Sequence, residues 1–276
     1  MTGSDAASAS FGLGFGYGLG FGFDFDGGRQ VAHVARVSVA VLDLGSGETV
    51  SRGDGVFVTA SLVKVDILAA LLLGAQDAGR ELTGAERTCA AEMIVRSAND
   101  AASVLWDGIG RAAGLDAANA RLGLTETTGG EGRLWGLTRT TALDRLTLLR
   151  RVFGADSELG AASRAYVREL MERVVPDQAW GVPSAADGGT AWAVKNGWLP
   201  RDATGLWVVH SIGYVTAGGR DCLVSALSDG NTTRERGVAL VEAAVRHALT
   251  ALDGAGRSSR GAGPEAGAVR GRPRSL

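Results

Sequence analysis

Ser61-Leu62-Val63-Lys64 sets a hydroxyl and an amine three residues apart, a spacing that turns both side chains to one face of a helix. A serine in the first helical turn lies among unpaired backbone N–H groups at the positive end of the helix dipole, where an alkoxide or a bound oxyanion is stabilised. Lys64, if burial among Leu62, Val65 and Leu68 keeps it neutral, takes the serine proton. The same residues also read as a helix cap beside a surface charge. In Ser97-Ala98-Asn99 a hydroxyl and an amide two positions apart cannot share a helix face, so both turn inward only if the helix breaks there. Read otherwise, Asn99-Asp100 is an ordinary helix-terminal pair. Lys195-Asn196-Gly197-Trp198 closes a strand-like run; Gly197 lets a substrate backbone come close, and a free strand N–H can donate to it.

The two lysines in these motifs are the only ones in 276 residues, and the other 26 of the 28 basic residues are arginine. Arginine holds its proton at any ordinary pH, whereas lysine can be tuned into a base. A chain rich in Ala, Gly and Arg explains the scarcity by codon usage but not the two positions. The count excludes a phosphate-cradling G-x-x-x-x-G-K-[ST] loop, because Val63 and Val194 precede the lysines. His210-Ser211-Ile212-Gly213 fails as a nucleophile elbow, since Val209 stands where its first glycine belongs. A pyridoxal-phosphate site lacks its phosphate loop. Cys89 and Cys222 have no Cys or His at metal-ligand spacing, so no metal is expected; they are two small buried hydrophobes or one disulfide. His33, His210 and His247 are isolated and read as packed or surface histidines. The net charge of −2 argues against a nucleic-acid surface, and the apolar run 67–73 is too short to span a membrane.

The elements that must position the motifs follow from periodicity. Apolar alternation over 34–44, a Gly45-Ser46-Gly47 turn and a resumed strand over 48–52 predict a β-hairpin. Spacings of three and four from Thr59 predict a helix, and further helices fit 86–106, 116–122, 140–153, 157–175 and 234–252. Strands are expected at 191–195, 206–214 and 221–227, with a tight turn over 217–220. Strands at both ends of the chain predict one antiparallel sheet with the central helices as a second layer, an α/β architecture of the α+β type. Residues 1–28 alternate glycine with Phe and Tyr and read as disordered low-complexity sequence. Residues 254–276, with five arginines and one glutamate, read as a disordered solvated tail, leaving a domain over 29–253.

In order along the chain, S-x-x-K, S-x-N and K-x-G, together with "VSVAVLDLGSGETV", "FVTASLVKVDIL" and "KNGWLP", resemble the class A β-lactamase-related serine hydrolases, particularly actinobacterial ones. The resemblance covers roughly 34–250. It implies the serine β-lactamase/DD-peptidase-like fold, and acylation of Ser61 by a β-lactam or a D-Ala-D-Ala-like peptide. Lys64 would be base or proton relay, Ser97 would pass the proton to the leaving nitrogen, and Lys195 would hold the substrate carboxylate and depress the pKa of Lys64. The N–H groups of Ser61 and Trp198 would form the oxyanion hole, and Asn99 would contact the substrate amide. No cofactor is implied, nor a nucleic-acid partner or transmembrane segment, and a monomer is expected. The family acts outside the cytoplasm, while residues 1–28 lack the basic start and continuous apolar stretch of an export signal.

Two positions and one stretch depart from the family. Ala98 replaces the usual Asp. Asn196 replaces Thr or Ser, with an amide still able to donate to a carboxylate. The E-x-x-L-N stretch, whose glutamate activates the deacylating water, is missing: 123–140 reads "GLTETTGGEGRLWGLTRT", with Glu126 and Glu131 its only carboxylates, each read as a solvated loop residue or a stand-in base. The expectation is therefore acylation with poor turnover. The rival is a non-catalytic β-lactam or peptidoglycan-fragment binding protein.

Overall fold

The hairpin forms where it is expected. In the computed structural model, which describes residues 34–260, and their side chains as far as 252, β1 (Arg36–Asp43) and β2 (Thr49–Arg52) pair antiparallel. The Asp43 carboxylate closes the turn by accepting from the N–H groups of Gly45 and Ser46. The other edge of β1 runs along β7 (Arg220–Asn231), with Arg36 opposite Asp229 and Asp43 opposite Cys222. β6 (Trp207–Ala217) and β5 (Trp192–Pro200) complete the antiparallel order β2-β1-β7-β6-β5. The first and last strands among the described residues therefore meet, as the two-ended strand pattern predicts.

Side chains alternate between the faces of this sheet. Ala40, Leu42, Leu223 and Leu227 point into a cluster with the helices, while Val39, Val41, Val224 and Ala226 pack against α7 (Arg234–Arg260). Both faces are covered. α1 (Val63–Asp77) is buried on nearly every side, so its apolar residues surround the axis rather than form a stripe. α2 (Gly84–Val95), α3 (Asn99–Gly108), α4 (Arg111–Leu122), α5 (Ala142–Phe153) and α6 (Ala161–Glu172) belong to the same helical layer.

Several boundaries differ from the sequence expectations. The single helix expected over 86–106 is two helices, because Ser97 adopts the left-handed conformation, φ 57°. β5 continues to Pro200, so Lys195 sits mid-strand rather than near its end. A short ladder of β3 (Phe57–Val58) with β4 (Arg139–Thr140) has too few residues for a periodicity to register. α7 runs eight residues past 252, into the segment read as the C-terminal tail. The low-complexity segment 1–28, His33 and tail residues 261–276 lie outside the described residues. Cys89 lies against the helical cluster and Cys222 in the sheet–α7 cluster, and no disulfide joins them. His210 is buried, and burial pushes its pKa down to about 4; its Nδ1 accepts from Ser228 N–H and its Nε2 lies 2.8 Å from Val58 O. It is a packed histidine. His247 lies on the surface. Among the described residues, no helix is long and apolar enough to cross a membrane, and no group of three His, Cys, Asp or Glu residues gathers to hold a metal.

Candidate active site

Ser61 occupies a 3-10 turn, Ala60–Leu62, that leads directly into α1. Ala60 has φ 46°, a left-handed conformation that costs a non-glycine residue roughly 1–3 kcal/mol and recurs at functional sites. This bend sets the half-buried Ser61 beside β5. A Cβ on Gly197 would come within 2.9 Å of Thr59 O and 3.0 Å of the backbone nitrogens of Ser61 and Leu62. Only glycine permits that approach. β5 is the edge strand of the sheet, which leaves N–H groups on its outer side without a ladder partner.

One turn further along α1, Lys64 is buried. Its ammonium donates to Ser97 O at 2.6 Å, Asn99 Oδ1 at 2.8 Å and Ser97 Oγ at 3.1 Å, so all three protons are in use. The left-handed Ser97 and the extended Ala98 break the helix so that hydroxyl and amide both face Lys64. Lys195 reaches the same hydroxyl from β5, donating to Ser97 Oγ at 3.0 Å and to Asn196 O at 2.9 Å. Ser97 Oγ thus bridges the two amines. Among the described residues, none makes a hydrogen bond to Ser61 Oγ.

Burial pushes the Lys64 ammonium down to about 7. Lys195 is held well below its usual range, first by burial and then by repulsion from Lys64. Loss of water is the first cause at both amines, and the repulsion between the two ammonium groups is mutual, so it opposes charging both at once.

Asn196 needs correction. Both of its amide protons are engaged, with Gln178 O at 2.7 Å and Trp180 O at 2.9 Å, while its Oδ1 is buried without a partner. No amide proton is left for a substrate carboxylate. Trp198 has its indole under the Arg234 guanidinium, 4.4 Å from the ring centre, and beside Trp180. Arg234 braces the end of β5, a role that no local pattern around it announces.

The segment 123–141 forms another wall. Trp135 lies in a 3-10 turn with its ring centre 5.0 Å from Lys64 Nζ, and its Nε1 donates to Ser103 Oγ. Glu126 and Glu131 are exposed; Glu126 accepts from Thr141 Oγ1, and neither carboxylate bonds Ser61, Lys64 or Ser97. The segment is tied down from beneath. Arg145 and Asp66, both fully buried, pair with one another, and Arg145 also donates to Thr140 Oγ1 and Thr127 Oγ1. Asp144 accepts from Glu126 N–H and Thr127 Oγ1.

The sequence profile of the beta-lactamase enzyme family matches residues 86–252. No curated protein sequence is similar enough to match. Among solved structures, L2 complexed with relebactam superposes with a TM-score of 0.67 at 19% identity, over 79% of this chain and 92% of that one. PBP-A superposes with a TM-score of 0.68 at 22% identity, over 80% and 91%. The class A β-lactamase from Mycobacterium abscessus gives 0.66 at 21%, over 79% and 94%. At these identities the likeness is one of fold.

Proposed function

The chain belongs to the beta-lactamase enzyme family, and from that premise we propose that it is acylated at Ser61 by β-lactams or D-Ala-D-Ala-like peptides and releases the acyl group slowly. The observation that carries this reading is the Lys64–Ser97–Lys195 bridge, a route for a proton between two buried amines. Neutral Lys64 takes the Ser61 proton as Ser61 Oγ attacks the substrate carbonyl. The N–H groups of Ser61 and Trp198 stabilise the oxyanion, each such donor being worth about 2.7–4 kcal/mol. As the tetrahedral intermediate collapses, the C–N bond breaks and Ser97 hands the proton from Lys64 to the leaving nitrogen. The product is an ester on Ser61. Lys195 orients the Ser97 hydroxyl and presents its remaining N–H to the substrate carboxylate, while Asn99 contacts the substrate amide.

Release of the ester needs a base for water. Glu126 and Glu131 are exposed and neither carboxylate bonds Lys64 or Lys195, which supports a long-lived acyl-enzyme. The L158E mutant of PBP-A, described as an acyl-enzyme complex with penicillin G, shares this fold with a TM-score of 0.68 at 24% identity. The test is the intact mass after exposure to penicillin. One stable adduct on the wild type and none on Ser61→Ala is the expected result; no adduct on either would leave a non-catalytic binding scaffold.

A further inference from the structure

Lys64 stands in a closed circuit of contacts that acyl transfer as described does not use. Its Nζ donates to Asn99 Oδ1. One helical turn on, Ser103 Oγ donates to Asn99 O at 3.1 Å. Trp135 Nε1 donates to Ser103 Oγ at 3.2 Å, and the face of the Trp135 indole returns to the Lys64 ammonium at 5.0 Å. A second indole holds the same segment, since Trp106 Nε1 donates to Gly132 O at 2.8 Å. Both tethers of the segment run to α3, the helix whose first residue, Asn99, also holds Lys64. The amine is thus gripped between a helix start and a ring fastened to that helix.

We infer that Trp135, tethered by Ser103, is a positioning residue for Lys64: its indole face favours the charged, oriented ammonium, so that segment 123–141 sets the pH at which Lys64 becomes a base. An aromatic face attracts a cation through its quadrupole, and the attraction strengthens where water is excluded. The ring is neutral and cannot itself titrate. The titratable group next to Lys64 is Lys195, through the shared Ser97 hydroxyl. Asp66, on the same helix as Lys64, pairs with Arg145. On the segment itself, Glu126 bonds Thr141 and Arg133 pairs with Asp107, while Glu131 is exposed. At the α2–α3 corner Arg96 pairs with Glu92 and Asp100 is exposed. From the remaining helices, Asp116 of α4 accepts from Gly129 N–H and Glu169 of α6 pairs with Arg173. The indole and Lys195 therefore act on Lys64 in opposite senses, one favouring its charge and the other opposing it.

This inference rests on Lys64 acting as the base for Ser61, but its test does not need substrate. With only two lysines in the chain, protein labelled with [6-13C]lysine gives two side-chain resonances, assigned by Lys195→Arg. Trp135→Leu keeps apolar bulk and loses the ring face; it should lower the Lys64 titration midpoint by about half to one and a half pH units. Trp135→Phe keeps a ring and should stay close to wild type. Ser103→Ala, which frees the indole from its tether, should lower the midpoint by less than Trp135→Leu. An unmoved midpoint in both Trp135→Leu and Ser103→Ala overturns the inference, as does a shift in Trp135→Phe equal to that in Trp135→Leu. Absence of a penicillin adduct on the wild type, with the Trp135→Leu shift present, would count against acylation of Ser61 and leave the hold on Lys64 standing.

Discussion

Two buried cationic clusters flank the same helix, and they are built on opposite principles. Arg145 lies opposite Asp66 with neither side chain exposed, and its remaining donors meet the hydroxyls of Thr140 and Thr127. Lys64 and Lys195 have no carboxylate between them and share one serine hydroxyl. In the first cluster charge is matched by charge, so the pair is fixed and holds segment 123–141 in place. In the second, two amines are kept from water and from counter-ions, so loss of a proton costs little. Compensation makes a strut, and its absence makes a base.

The widest separation between the clusters comes from changing the cation's type. Lys64→Arg keeps the positive charge but cannot give up its proton, so penicillin acylation should fall by about 10²–10⁴-fold, read from the rate of adduct formation, with the fold intact. Acylation near the wild-type rate would break the distinction. At the other cluster, Arg145→Met leaves Asp66 buried and alone, which should cost about 3–5 kcal/mol of stability in denaturant unfolding. Replacing Asp66 and Arg145 together by apolar residues should restore most of that loss, since the pair's net contribution is small.

A smaller effect follows from pH. A base must be neutral, and Lys64 loses its proton at about 7, so acylation should rise through that pH and fall about tenfold for each unit well below it. The same shift gives stability a sign. Between about 7 and 10.5 the unfolded chain binds a proton at Lys64 that the folded one does not. Stability contributed by this residue therefore rises with pH across that window. Lys64→Met should flatten that part of the stability profile while Arg145 variants leave it unchanged, a contrast read by unfolding at several pH values.

Much of this is legible in the chain before any folding. The two-ended strand pattern yields the sheet, and S-x-x-K, S-x-N and K-x-G converge because a helix start, a helix break and an edge strand bring them together. Even the break at Ser97 is implied, since hydroxyl and amide two residues apart cannot otherwise both face Lys64. What stays hidden depends on partners far along the chain. Asp66 carries a signal of its own: a carboxylate inside the apolar run 62–73 requires a buried cation, although nothing local says that Arg145 supplies it. Trp135 gives no signal at all, because a ring 71 positions from Lys64 has no periodicity to betray its contact. Asn196 misleads because residue type shows donors but not which carbonyls, here Gln178 O and Trp180 O, already hold them.

The central claim is an acyl-enzyme on Ser61 that forms faster than it hydrolyses. Stopped-flow mixing with the chromogenic cephalosporin nitrocefin at pH 8 reads both steps in one trace. A burst of one equivalent per enzyme followed by a slow steady rate, absent in Ser61→Ala, is the predicted result; rapid linear turnover without a burst would contradict it.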